Sequence, residues 1–210
     1  NLRWFRDELA AAEKAEAERR GEDFYASFDR LAATVKAGSE RLLFLPHLSG
    51  RVCPNDPSLR GLWAGFTWAH TKAHLYRSLL EGVAFEYAYY LRVQRELLPQ
   101  AVFTEARVLG GGSGSRLWNQ IKADVLGVPY VRLNRREFSV LGAAVVAGHA
   151  VGLFSDMKQA VQAFVKPTER IAPRPDHHAF YDRMVDLYIP VFDAVRATFD
   201  GLAALPGAPQ

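Results

Sequence analysis

An α/β layered domain, with helices covering a largely parallel sheet, is what this sequence predicts. Three observations carry the prediction. Short apolar runs alternate with longer runs of helical periodicity, and proline or glycine punctuates most junctions. In addition, one strand-like run ends in three consecutive glycines before a helical pattern, at VLGGGSGSRLWNQIKADVLG, residues 108–127.

Taken in order, residues 2–37 read as two helices separated near Gly21, of which AAAEKAEAERR is polar enough to be a solvated surface helix. ERLLFLPHLSG supplies a short buried strand ended by Pro46, RVCPNDPSLRG an ordered loop, and LWAGFTW a second strand. The longest helix runs from Thr71, its N-cap, to Leu98, with Leu75, Leu79, Val83, Tyr87 and Leu91 at near-helical spacing and Pro99 closing it. TEARVLGG is the third strand and Ser115 to Leu126 a helix stopped by Gly127 and Pro129. YVRL is the fourth strand. SVLGAAVVAGHAVG reads as a small-residue helix whose axis approaches a neighbour closely, with Glu137 as its cap or a ribose contact. A short helix over 156–165, a loop at KPTERIAPRPD, one helix over 176–202 and a tail over 203–210 complete the chain.

Bulk properties narrow the function classes. At 210 residues, 49% hydrophobic, the chain can bury one substantial core. Its net charge of +3 comes from Lys and Arg scattered among Asp and Glu, which argues against a nucleic-acid partner. The single cysteine, Cys53, precludes an internal disulfide and fits a reducing, cytoplasmic address. No run approaches the roughly 18 apolar residues of a membrane span. The N-terminus has no signal-peptide order and opens on an amphipathic pattern of Leu2, Phe5 and Leu9, so a fragment of a longer protein is expected.

Strand, glycine-rich turn and helix form the arrangement in which backbone N–H groups and a helix N-terminus meet an anion or a flat ring. Glycines that only supply positive φ and close packing are the plainer explanation. A Walker loop is excluded because no Lys follows at the required spacing. The dinucleotide fingerprint is broken at Ser115. Arg135 with Arg136 after the fourth strand nevertheless keeps an NADP-binding oxidoreductase module open as an alternative, alongside a non-catalytic interaction domain.

RVLGGGSGSRLWNQIKADVLGVP followed by REFSVLGAAVVAGHAVGLFSD resembles the C-terminal half of the FGGY carbohydrate kinases. GLWAGFTWAHTKAHLYRSLLEG is similar to a second family signature, through Gly61, Trp63, Gly65, His74, Leu75, Ser78, Glu81 and Gly82, with small departures at Phe66 and Leu79. FLPHLSGRVCPNDPSLRG resembles a third segment, keeping Asp56, Pro57, Arg60 and Gly61 while Arg51, Val52 and Cys53 replace the usual Glu-Arg-Thr. The phrasing looks closest to the xylulokinases within that family.

The resemblance, which runs from residue 1 to about 202, implies an α/β lobe of the ribonuclease H-like, actin-like ATPase (ASKHA) class, a mixed sheet flanked by helices. It implies ATP with Mg²⁺ as cofactors and a sugar hydroxyl, of a ketopentose such as D-xylulose, as acceptor. Gly110, Gly111 and Gly112 would then be bare because the nucleotide lies on them, with Ser115 and Arg3 as further nucleotide contacts. The general base, both phosphate hairpins and most sugar contacts are expected in parts of the protein outside these residues, chiefly an N-terminal sugar-binding lobe, so no catalytic residue is assigned and the chain alone is expected to be inactive. That lobe, or a second copy in a homodimer, would cover aromatic residues of the helix 71–98 that the core leaves free.

Asp56 fits an Asx-turn and Asp124 an exposed or paired helix position. His47, His70, His74, His149, His177 and His178 lack metal-ligand spacing, and Cys53 has no evident base partner, so no metal site is predicted.

Overall fold

The long apolar helix organises the molecule in the computed structural model, which describes residues 1–135 and 137–206. Leu2–Trp4 (α1) continues through a π-helical turn, Phe5–Leu9, into α2 (Ala11–Arg20). Gly21, at φ 64°, ends α2, and α3 (Phe24–Ala33) starts with the Asp23 side chain accepting from the Ala26 N–H at 2.7 Å. Only Ala17 of α2 is buried, as its composition predicts.

The spine is α4 (Lys72–Leu97). At its start the Thr71 N–H donates to His74 Nδ1 at 3.1 Å, so a histidine fills the position a glutamate takes in the usual capping box. Leu79, Leu80, Ala84 and Phe85 bury one side of α4 in the core. Phe5, Phe28 and Tyr76 form an aromatic cluster with ring centroids 5.3 to 5.6 Å apart, which fastens the N-terminal helices to it. Of the aromatic residues on this helix, Tyr76 and Phe85 are core, Tyr89 and Tyr90 are half-buried and Tyr87 is about two-thirds covered, at 37% exposure.

Strand β1 (Leu43–Leu45) stops before Pro46 and pairs antiparallel with β2 (Leu62–Ala64), Phe44 standing opposite Trp63. This pair lies so close to α4 that a Cβ at Gly82 would collide with the Phe44 carbonyl oxygen. The obstacle is backbone and cannot rotate away. Gly82→Ala is therefore expected to destabilise the protein by about 1–3 kcal/mol, read by urea unfolding, even though alanine is the better helix former; unchanged stability would show that the helix can move off β1 freely.

The second sheet has the order β3–β4–β5, where β3 is Ala106–Val108, β4 Tyr130–Leu133 and β5 Pro167–Ile171. The β3–β4 pairing is parallel and β4–β5 antiparallel. Two small sheets, one of them mixed, thus replace the single, largely parallel sheet expected. β5 also overturns the loop predicted at KPTERIAPRPD. Pro167 can stand at the start of an edge strand, where its missing N–H costs no ladder bond. Glu169 bridges Arg132 at 2.7 Å and Arg116 at 3.0 Å, and Ile171 is buried, so distant partners hold a segment without strand propensity in place.

Helix α5 (Arg116–Leu126) ends at Gly127, φ 66°, as predicted. α6 (Ser139–Ala150) and α7 (Met157–Phe164), the latter capped by Asp156, also fall where expected. The close packing expected of α6 is not seen: it buries only Val145 and Gly148, the latter against Phe154, while Val140 and Val146 stay exposed. Nor does Glu137 cap it, since Phe138 holds the N-cap position without a side-chain bond. The helix predicted over 176–202 is two, α8 (Pro175–Tyr188) and α9 (Val191–Ala204). Pro190 lacks the N–H that a continuous helix would use, so the chain breaks there. α9 takes in the start of the predicted tail, and residues 207–210 lie outside the described residues.

Candidate nucleotide-binding site

The glycine loop links β3 to α5. Gly110 has φ 76° and ψ −174°, a conformation essentially closed to other residues. A 3-10 turn over Gly111–Gly114 follows, and the Ser115 side chain caps α5 by accepting from the Trp118 N–H at 3.0 Å. Inside the turn the Ser113 hydroxyl donates to the Gly110 carbonyl at 2.7 Å, and Asn119 Nδ2 donates to the Ser113 carbonyl at 2.9 Å. Asp29 on α3 faces Ser115, and burial pushes its carboxyl up. Trp118 Nε1 donates to the Leu80 carbonyl on α4 at 3.0 Å.

The far end of α5 is equally anchored. Buried Asp124 accepts from the Arg174 backbone N–H at 2.8 Å and from its guanidinium, which makes it the paired helix acid expected. His178 meets the Asp124 carbonyl at 2.9 Å, whereas His177 lines a cavity, so the adjacent histidines serve different faces.

The three consecutive glycines differ in what requires them. Gly110 needs its positive φ. At Gly112 a Cβ would lie 2.7 Å from Trp118 Cζ3, so the indole forbids a side chain. At Gly111 neither reason holds: φ is outside the left-handed range and nothing lies within 4 Å of a built Cβ. Gly111 presents bare backbone to open space at the N-terminal side of α5.

Gly110, Gly111, Gly112 and Ser115 therefore come together in one turn. Arg3 is exposed and has no hydrogen bond or ion pair among the described residues, while its helix docks through Phe5 on Phe28 and Tyr76. Sequence reasoning missed Trp118 as the floor of the loop and Asp29 as the acid facing Ser115. The Ser115–Trp118 spacing signals the first, but Asp29 lies on another helix far back in the chain and carries no local signal.

Two other regions bear on the sequence expectations. Arg135 lines a shallow depression with Glu137, Val140, Leu141 and Ala144, and Arg136 lies outside the described residues. Arg51, one of the departures from the segment resembled, is a buried structural cation: its Nε donates to Glu86 at 2.7 Å and its guanidinium carbon lies 4.4 and 4.2 Å from the ring centroids of Tyr89 and Phe192. Burial pushes the Glu86 carboxyl up, but the His47 ring, whose Nε2 lies 3.5 Å away, and the Arg51 guanidinium outweigh it and hold it below the usual range. Val52 and Cys53 beside Arg51 are exposed. Among the described residues no group of three or more His, Cys, Asp or Glu is placed to hold a metal, and no helix is long and apolar enough to cross a membrane.

A mixed α/β lobe with a glycine turn opening a buried helix defines this as a protein of the actin-like, ribonuclease H-like class, the fold of its solved structural neighbours. The chain belongs to the FGGY family of carbohydrate kinases, whose C-terminal domain model matches residues 1–151. It is 32% identical over 163 residues to a xylulose kinase of Staphylococcus epidermidis, a match covering 77% of this chain and 32% of the relative. It is 33% identical over 189 residues to a gluconokinase of Bacillus subtilis, covering 90% of this chain and 36% of the relative. The crystal structure of xylulose kinase from Rhodospirillum rubrum superposes with a TM-score of 0.75 at 33% identity, over 91% of this chain and 37% of that one. The chain spans about a third of the length of the relatives it matches.

Proposed function

We propose that this chain supplies the nucleotide-binding lobe of an ATP-dependent sugar kinase whose acceptor is a ketopentose such as D-xylulose. The observation that carries the reading is Gly111, a glycine that neither backbone conformation nor packing requires, at the N-terminal side of a well-anchored helix. Adenosine and the α-phosphate lie on the backbone at Gly110, Gly111 and Gly112, with Ser115 and Arg3 beside them. The helix N-terminus favours the anion through its unpaired N–H groups and dipole.

In the reaction the bond between the γ-phosphorus and the β–γ bridging oxygen breaks, and the sugar oxygen bonds to that phosphorus. The sugar hydroxyl gives its proton to a base. That base belongs to an N-terminal lobe, which is the partner of this chain, and the chain's own residues bind and orient the nucleotide. Mg²⁺ would supply charge neutralisation, but with no acidic cluster placed to hold it among the described residues, no step is assigned to it here. The reading carries with it a cytoplasmic address and leaves homodimerisation as an outcome of sizing the whole protein.

The deciding experiment is ATP- and Mg²⁺-dependent phosphorylation by the whole protein across D-xylulose, L-xylulose, D-ribulose, L-ribulose, glycerol and gluconate. Preference for D-xylulose, with no turnover by the isolated chain, is the expected outcome. The similarity to a gluconokinase supports gluconate as the second reading. Faster turnover of gluconate or glycerol would overturn the ketopentose assignment, and no phosphorylation of any acceptor would overturn the kinase.

A further inference from the structure

Lys122 is 4% exposed, and no hydrogen bond or ion pair to its amine is formed by the described residues, although the amine nitrogen itself is not fully shut off from water. What it has is aromatic. The ammonium stands 3.6 Å from the ring centroid of Trp118, one helical turn back on α5, with the rings of Tyr87 and Tyr130 at 5.9 and 5.8 Å. A largely desolvated cation without an anion is costly, and a methionine would fill the same space without that cost. The charge therefore calls for an explanation of its own.

We propose that Lys122 is a positioning residue for the glycine loop, its ammonium clamping the face of the Trp118 indole that floors Gly112 and so strengthening nucleotide binding. The proposal rests on the reading that this loop binds nucleotide. Trp118 has one polar anchor, the 3.0 Å bond from Nε1 to the Leu80 carbonyl on α4. An indole held at one edge can still rock about that bond. Lys122 supplies a second constraint, directed at the ring face. Because Gly112 sits directly against this ring, any tilt of the indole moves the backbone beneath the proposed nucleotide.

The clamp depends on the proton. Burial lowers the Lys122 amine to about 8, so the clamp is half lost near that pH, nearly complete about a unit below it and lost as the pH rises further. The other ionisable groups facing Lys122 are Tyr87 from α4 and Tyr130 from β4, both pushed up by burial and neutral across this range. Charged and titratable groups that reach α5 from α3, from α8 and its N-cap, and from β5 engage other residues: Asp29 faces Ser115, His178 and Arg174 meet Asp124, and Glu169 meets Arg116.

The test is calorimetric titration of the whole protein with ADP at about pH 7 and about pH 9.5, on either side of the Lys122 transition at about 8. The wild type is expected to lose about fivefold in affinity between the two, the size of one partly desolvated cation–π contact. Lys122→Met should bind at both pH values as weakly as the wild type does at the higher one. Lys122→Arg, which keeps its charge, should show no such loss. If Lys122→Met, close to lysine in volume, reproduces the wild-type affinity and pH profile, this inference falls and the nucleotide reading stands. If the wild type does not bind ADP at either pH, both fall.

Discussion

Replacing Arg77 with methionine is expected to lower the stability of this protein by about 3–5 kcal/mol, a fall of roughly 10 °C in melting temperature. Glu81 is fully buried and its carboxylate accepts from Arg77 Nε at 2.8 Å, the Gly38 N–H at 2.9 Å, the Ser39 hydroxyl at 2.7 Å and the Tyr181 hydroxyl at 2.7 Å. Arg77 also donates to the Ala32 carbonyl and to Tyr181, each at 3.1 Å. Methionine would leave the carboxylate without its counter-ion in the core. It would also weaken the anchor of a turn in which Ser39, Glu40 and Arg41 have φ of 49°, 52° and 72°, a left-handed run that L-residues adopt only when held there. Arg92→Met is the control. Its partners, Asp182 and Asp186, are mostly exposed, and their loss should cost less than about 1 kcal/mol. Equal, small losses for both variants would mean that the core accommodates Glu81 without Arg77.

Gly111→Val and Gly112→Val should fail in opposite ways. At Gly111 the added side chain meets open space and no strained φ, so the fold should be preserved to within about 1 kcal/mol while ADP affinity of the whole protein falls by about tenfold or more. At Gly112 the side chain collides with Trp118, and stability should drop by about 1–3 kcal/mol. Urea unfolding and calorimetric ADP titration on the same two variants separate these outcomes. Wild-type ADP affinity in Gly111→Val would remove the main support for nucleotide at this loop.

Most helices were legible because their ends are marked locally. Asp23, Asp156 and Ser115 cap α3, α7 and α5 with their own side chains, and Gly21 and Gly127 supply the left-handed exits that end α2 and α5. β5 was not legible, because its sequence reads as a proline-rich loop and only the pairing with β4 and the ion pairs from Arg132 and Arg116 make it a strand. The break at Pro190 carried an ordinary signal that the apolar periodicity on either side masked. Arg51 looked like a departure in an ordered loop; its partner Glu86 is 35 residues away on a buried helix face.

The candidate site divides along the same line. The triple glycine, the cap at Ser115 and the family resemblance are properties of contiguous residues, since caps and turns are decided by interactions between neighbours in the chain. The sequence by itself therefore determined where the loop lies and what kind of protein carries it. Which glycine is spare, and why the others cannot be replaced, was decided only when α5 packed on α4 and brought Trp118 and Lys122 under the loop. Burial of a charge is likewise a tertiary fact. The Glu81–Tyr181 bond spans 100 residues and the Glu86–Tyr188 bond 102, and such contacts exist only once the entropy of closing those loops has been met by the packing of the whole core.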